Sequence, residues 1–127
     1  MKQGAGLAAR EAVLSRWYRD QVRERGSSLV AEWSSTLGLD APRLHVQHMK
    51  TKWGSCSPTR RSIRLNTELA KKPPGCLEYI VVRELVHLLE PTHNERFKAL
   101  MRMFLPEWED RRRGLNALPV RHEDWDY

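Results

Sequence analysis

The stretch from Cys76 to Leu89 constrains the fold more than any other part of the chain. Leu77, Ile80, Val81, Val82, Leu85, Val86, Leu88 and Leu89 surround the whole circumference of a helix there instead of forming one stripe. A helix that is apolar nearly all round belongs at the buried centre of its domain. Its limits are legible too. Lys71-Lys72-Pro73-Pro74-Gly75 breaks the chain before it, and Pro91 ends it, because the residue before a proline is driven out of the helical region. Into this helix are set Arg83, Glu84, His87 and Glu90. Positions 83, 87 and 90 share one face, and Glu84 lies beside them. Ionisable groups are costly to bury unless paired or metal-bound, so the polar stripe is either a buried ion network or a site.

The rest of the chain supplies what such a helix needs around it. A first helix is expected from about Leu7 to Arg25, with Leu14, Trp17, Tyr18 and Val22 as its apolar stripe. Residues 1–6 read as a frayed start. Gly26-Ser27-Ser28 reads as punctuation before a second helix carrying Val30, Trp33 and Leu37, with Gly38 as its cap. Leu44 to Lys50 alternates as a strand, Val46 sharing a face with Leu44 and His48, opposite His45, Gln47 and Met49. Trp53-Gly54-Ser55-Cys56 leads into the turn signal Ser57-Pro58-Thr59-Arg60, and Arg61 to Asn66 forms the next strand, a hairpin plus extension. After Pro91, Thr92-x-x-Glu95 has the form of a capping box, followed by Phe97, Leu100, Met101 and Phe104 at helical spacing. A last helix begins at Pro106 and fades near Gly114. The tail from Pro119 to Tyr127 is polar and acidic, suited to drape over a basic body. The expected fold is α+β and one domain over 1–127, with N-terminal helices at 7–38, strands at 43–66, and the central and C-terminal helices at 76–116.

At 127 residues the chain can bury one core without covalent staples. Cys56 and Cys76 form no C-x-x-C pair, so a zinc-finger or thioredoxin motif is not supported. Free thiols and no recognisable signal peptide suggest the reducing cytoplasm. No apolar run approaches membrane-spanning length. The formal charge of +6 and a pI near 9.7 suit an acidic partner such as nucleic acid or a nucleotide, and equally suit a solvated arginine-rich surface. Arg60, Arg61 and Arg64, and Arg111-Arg112-Arg113, are read first as solvated faces, with phosphate contact as the alternative. His45 and His48 lie on opposite strand faces and cannot share one metal. Trp53, Trp17, Trp33 and Trp108 read as packing residues, and Gly54-Ser55 permits close backbone approach to substrate or to the helix.

Arg83-Glu84-Leu85-Val86-His87 differs by one residue from H-E-x-x-H. In that motif two histidines four apart point the same way and share a zinc, while the intervening glutamate polarises the bound water. His93 follows His87 after the Glu90-Pro91-Thr92 turn, placed to swing back as a further ligand.

The stretch Met49 to Ser57, then Ile63-Arg64-Leu65-Asn66, then Tyr79 to His93, together resemble the YgjP-like family. These are small metallopeptidase-like proteins also compared with SprT and WLM domains. Phe97 and Leu105-Pro106-Glu107-Trp108 fit the family's usual ending. The resemblance implies a minimal zincin-like fold: a small antiparallel or mixed sheet packed on an active-site helix, with a zinc held by three histidines. It implies metal ligands at His87 and His93 and a general base at Glu84, with Trp53, Gly54 and Ser55 near the substrate. A peptide or protein is the default substrate. Some relatives are described as nucleotide pyrophosphatases acting on UTP.

Arg83 stands where the first ligand belongs. Arginine stays protonated and offers a metal no lone pair. Glu84, Glu90 or Cys56 could step in, but none restores the usual geometry. The readings are therefore a competent enzyme carrying one substitution, a pseudoenzyme in which Arg83 pairs with Glu84 or Glu90 and binds an acidic partner, or a rebuilt site. All three imply weak or absent peptidase activity.

Overall fold

The computed structural model describes residues 2–117; the expected acidic tail from Pro119 onward lies outside the described residues. In chain order the elements are α1 (Lys2–Leu37), β1 (Arg43–Gln47), β2 (Gly54–Ser57), β3 (Ser62–Asn66), a short 3-10 helix (Thr67–Lys71), α2 (Pro74–Leu89), α3 (Glu95–Phe104) and α4 (Trp108–Ala117). The α+β expectation holds. α2 is the centre, with Ile80, Val81, Val82, Leu85 and Val86 wholly buried. α1, β2, β3, α3 and α4 all pack against it. It starts at Pro74, two residues earlier than expected, because a proline in the first helical turn loses no hydrogen bond.

Two expectations fail at the N-terminal end. Gly26-Ser27-Ser28 does not interrupt the chain, and the expected pair of helices is one helix of 36 residues that already includes Lys2 to Gly6. Gly26 is there for packing. A Cβ at this position would meet Leu65 Cδ1 at 2.9 Å, so the glycine lets α1 cross the sheet closely. Ser28 Oγ–H returns its bond to the Glu24 carbonyl one turn back (3.3 Å), which keeps the serine compatible with a helix. The expected apolar stripe is also shifted. Leu14 and Trp17 are more than half exposed, and burial on α1 begins only around Val22. Trp33 is half-buried and donates its indole N–H to Glu78 (2.9 Å); Trp108 is buried and stacks on Tyr79.

The sheet has three strands in the order β1-β3-β2. The hairpin pairs β2 with β3, Cys56 opposite Ile63, while β1 runs parallel to β3, Val46 opposite Leu65. Sequence alternation suggested two strands with an extension. The extension is a strand in its own right, four residues long, and small residues such as Gly54 and Ser55 carry little side chain for a sequence pattern to show. At α3 the cap is Asn94, whose side chain accepts from Phe97 N–H (3.0 Å); Thr92 of the expected capping box lies outside the helix. α4 begins at Trp108, two residues after Pro106, and continues through Gly114.

The crossing from β1 to β2 is organised by Asn66, which is fully buried. Its Nδ2 donates to the carbonyls of Met49 (2.9 Å) and Lys52 (2.7 Å), and its Oδ1 accepts from Glu68 N–H (3.0 Å). Asn66→Ala leaves these groups without their partner, at about 1–3 kcal/mol for each that stays unsatisfied. The expected loss is about 3 kcal/mol in urea unfolding. Asn66→Asp, which keeps the acceptor but loses both donors, should not restore it. An alanine variant within about 0.5 kcal/mol of the parent would show that the loop holds itself.

Candidate active site

Arg83, Glu84 and His87 reach one cleft because α2 passes beneath β2. The cleft has a volume of about 250 Å³ and is lined by Lys52, Gly54, Ser55 and Cys56 from the β2 side, by Arg83, Glu84 and His87 from the helix, and by Pro91. Gly54 sits at the closest approach. A Cβ there would lie 2.8 Å from Ile80 Cγ2, 3.0 Å from the Arg64 carbonyl and 3.4 Å from Glu84 Cγ. The absence of a side chain at Gly54 is what lets β2 lie directly on the glutamate. Trp53 is wholly buried in the core, with Lys72 Nζ over its ring at 5.1 Å, so of the three expected near-site residues only Gly54 and Ser55 line the cleft.

The position of the first expected ligand is filled by an ion pair. Arg83 Nη1 donates to Glu84 Oε2 at 3.0 Å, with the two side chains 12% and 2% exposed. Of the pairings expected for Arg83, this is the Glu84 one. Glu90 instead receives the Thr92 N–H (3.3 Å) and lies 3.9 Å from Arg96, which holds the turn. Burial pushes the Glu84 carboxyl above the usual carboxylate range, and the Arg83 guanidinium opposes that rise.

His87 and His93 do come together. Their rings lie 6.1 Å apart, centroid to centroid, and both pack on Phe97: His87 stacked at 4.3 Å, His93 edge-on at 4.6 Å. Arg83 Cζ lies 5.9 Å from the same ring. Phe97 is thus the floor on which the polar groups are arranged. Its helical spacing identified it only as core, because spacing reports burial and not what the ring touches. His87 Nδ1–H donates to the Glu90 carbonyl (3.2 Å); the carbonyl can only accept, so Nε2 keeps its lone pair.

Burial and the adjacent Arg83 charge hold His87 down to about 4, against an ordinary 6.5. The imidazole is therefore neutral at physiological pH. The unfolded chain takes up this proton first, so stability present above the ordinary value is lost as pH falls through the interval from 6.5 to about 4. In a histidine NMR titration His87 should show a depressed midpoint; a midpoint near 6.5 would contradict this account. Cys56 is half-buried and its thiol is pushed up to about 11, chiefly by desolvation and then by Glu84. It lines the cleft as a neutral group and not as a thiolate.

These residues do not fit a three-histidine zinc centre. Two imidazoles about 2.0–2.1 Å from one zinc are compatible with the His87–His93 spacing, but the third position carries a guanidinium bonded to the glutamate beside it. Among the described residues no group of three or more His, Cys, Asp or Glu side chains is arranged to hold a metal ion. His45 and His48 are exposed, away from the cleft. No described helix is long and apolar enough to cross a membrane.

Comparison with known proteins agrees with this architecture. The fold is similar to the metallopeptidase zymogen jannalysin of Methanocaldococcus jannaschii, with a TM-score of 0.65 and 21% identity over 75% of this chain and 90% of that one. It is similar to the metallopeptidase zymogen abylysin of Pyrococcus abyssi as well, with a TM-score of 0.61 and 23% identity over 69% of this chain and 91% of that one. No curated protein matches the chain. The model of the YgjP-like metallopeptidase domain matches residues 1–118, and the chain belongs to that family.

Proposed function

We propose that this chain is a metallopeptidase-type domain whose metal centre is closed by Arg83, leaving it without zinc-dependent hydrolysis. The observation that carries this reading is the Arg83–Glu84 ion pair at 3.0 Å on a carboxylate only 2% exposed. The family's arrangement would use Glu84 as general base and His87 and His93 as zinc ligands. In this chain the Glu84 carboxylate is already bonded to a fixed positive charge, and that charge occupies the side of the cleft where a divalent cation would bring its own. A guanidinium and a zinc ion in the same space repel each other, and only the guanidinium is covalently tethered there. His87 and His93 remain as a two-nitrogen site, one ligand short of the three that catalytic zinc ordinarily has.

The test uses the chain as it stands. After dialysis against buffered zinc, it should retain well under about one equivalent per chain by elemental analysis. Neither casein nor UTP should be turned over at a rate that a chelator abolishes. Near-stoichiometric zinc together with chelator-sensitive cleavage of either substrate would overturn the proposal, and the substrate cleaved would say which hydrolytic class the domain serves.

A further inference from the structure

Every described strand lies in a part of the chain that contains no carboxylate side chain. From residue 41 to residue 67 there is no Asp or Glu, while Arg43, Lys50, Lys52, Arg60, Arg61 and Arg64 all fall there, matching the whole chain's formal excess of +6. The rest of the molecule is charge-balanced, so the positive character belongs to the sheet and its loops.

The register gathers much of this charge onto one face. Ser55 lies opposite Arg64 and Ser57 opposite Ser62 across β2 and β3; His45 lies opposite Arg64 and Arg43 opposite Ser62 across β1 and β3. The alternate residues, Val46, Ile63 and Leu65, are buried. The outward face therefore carries Arg43, His45, Arg64 and the serines. At its β2 edge it deepens into a cavity of about 310 Å³ walled by Lys52, Arg60, Arg64, Ser55, Ser57 and Ser62. Among the described residues neither Lys52, Arg60 nor Arg64 takes part in an ion pair. Like charges converging on one hollow raise the local concentration of anions, although Lys52 also acts on the Glu84 carboxyl.

We propose that this sheet face binds the phosphodiester backbone of a nucleic acid, seating one phosphate in the Lys52–Arg60–Arg64 hollow and its neighbours along β3 and β1. Lysine, arginine and serine side chains are the donors that phosphate oxygens take in such interfaces. The cations continue past the hollow. Arg43 stands on β1, one strand beyond Ser62 and Arg64 and two from the β2 edge of the hollow, roughly 10 Å across a sheet with strands about 4.8 Å apart, so the face is longer than one phosphate and suits a repeating polyanion. Among the described residues no tryptophan, tyrosine or phenylalanine lies on it: Trp53 is wholly buried. Base stacking is therefore not offered, and binding should be indifferent to sequence. Lys52 and Ser55 also line the Arg83–Glu84 cleft, so the bound strand would run beside it. Neither a metal nor hydrolysis is required, and the inference stands whether or not the centre is closed.

The experiment is fluorescence anisotropy of a short labelled single-stranded DNA titrated with the full chain over a range of salt. Affinity should fall log-linearly with salt, with a slope of roughly −2 to −4 for three to six contacts. Arg60→Gln with Arg64→Gln should weaken binding roughly tenfold and make the slope less negative by about 1.4. Arg10→Gln with Arg16→Gln, the same change of charge on α1, should leave both unchanged. Four results would overturn the inference: no binding at low salt, an equal loss in the α1 pair, full displacement by inorganic phosphate at matched ionic strength, or equal competition by polyglutamate. Circular dichroism of both double variants shows that any loss occurs in folded protein.

Discussion

Arg83→His is expected to raise bound zinc from well under one equivalent to about one per chain. It removes the guanidinium and places an imidazole one helical turn before His87, so that two nitrogens on one helix face converge with His93. The His87–His93 spacing of 6.1 Å and the Nδ1 bond of His87 to Glu90, which leaves Nε2 available, are already in place. The variant without metal should be less stable than the parent, since Glu84 then has no partner. Zinc should reverse the deficit, because a ligand that binds only the folded state stabilises it by about 2.7 kcal/mol at a concentration 100 times its Kd. A thermal melt with and without zinc reads this directly. His87→Ala in the same background should abolish the zinc-dependent shift, whereas Glu84→Gln should keep zinc and show no hydrolysis. If Arg83→His takes up no zinc while remaining folded, the two histidines are not a ligand pair and the closed-centre reading loses its basis.

Arg83→Met should cost about 3 kcal/mol or more near pH 8, because breaking a largely buried pair from one side leaves an uncompensated charge. Methionine fills similar space without charge, so loss of packing contributes little. The cost should depend on pH. Glu84 already sits above its ordinary 4.5, owing to burial, and losing Arg83 raises it further. A folded-state pKa above the unfolded one means that the native state holds the proton over the interval between them, so stability declines as pH rises through it. The deficit should therefore be larger at pH 8 than at pH 5. Adding Glu84→Gln should remove most of the pH dependence. Urea unfolding of the three proteins at both pH values decides the matter; equal deficits for Arg83→Met at the two values would mean that the ion pair is not what is lost.

The elements that were legible in the sequence are those whose pattern is dense. α2 could be read from its apolar circumference and its two proline boundaries, and α3 from Phe97 and Met101. The elements that misled are those where a residue serves packing instead of local conformation. Gly26 resembled a breaker because helix propensity counts glycine as a cost. In the fold that cost is offset by the close crossing over Leu65, which lies 39 positions away in the chain. β2 went unread as a strand because its small residues give alternation nothing to act on. Thr92 is the expected cap and Asn94 takes its place, because only the path of the turn after Pro91 decides which side chain meets the free N–H of Phe97.

For the site the division is similar. The four-residue spacing of Arg83 and His87, and the place of His93 after the turn, follow from helix geometry and could be derived from the sequence alone. So could the misfit, since an arginine cannot be a ligand whatever surrounds it. The partner of that arginine could not be derived. Residues one apart on a helix do not face each other, so nothing local assigns Arg83 to Glu84 over Glu90. The choice is made by the lid of β2 over Glu84, by Gly54 allowing that approach, and by the Phe97 ring beneath the guanidinium. The acid-free stretch from 41 to 67 is likewise visible as letters, but only the parallel pairing of β1 with β3 puts Arg43 and Arg64 on one outward face. The sequence by itself determined which groups are available and what each can do chemically. The tertiary structure decided which of them meet, because burial and long-range pairing determine where a charge finds its counterpart.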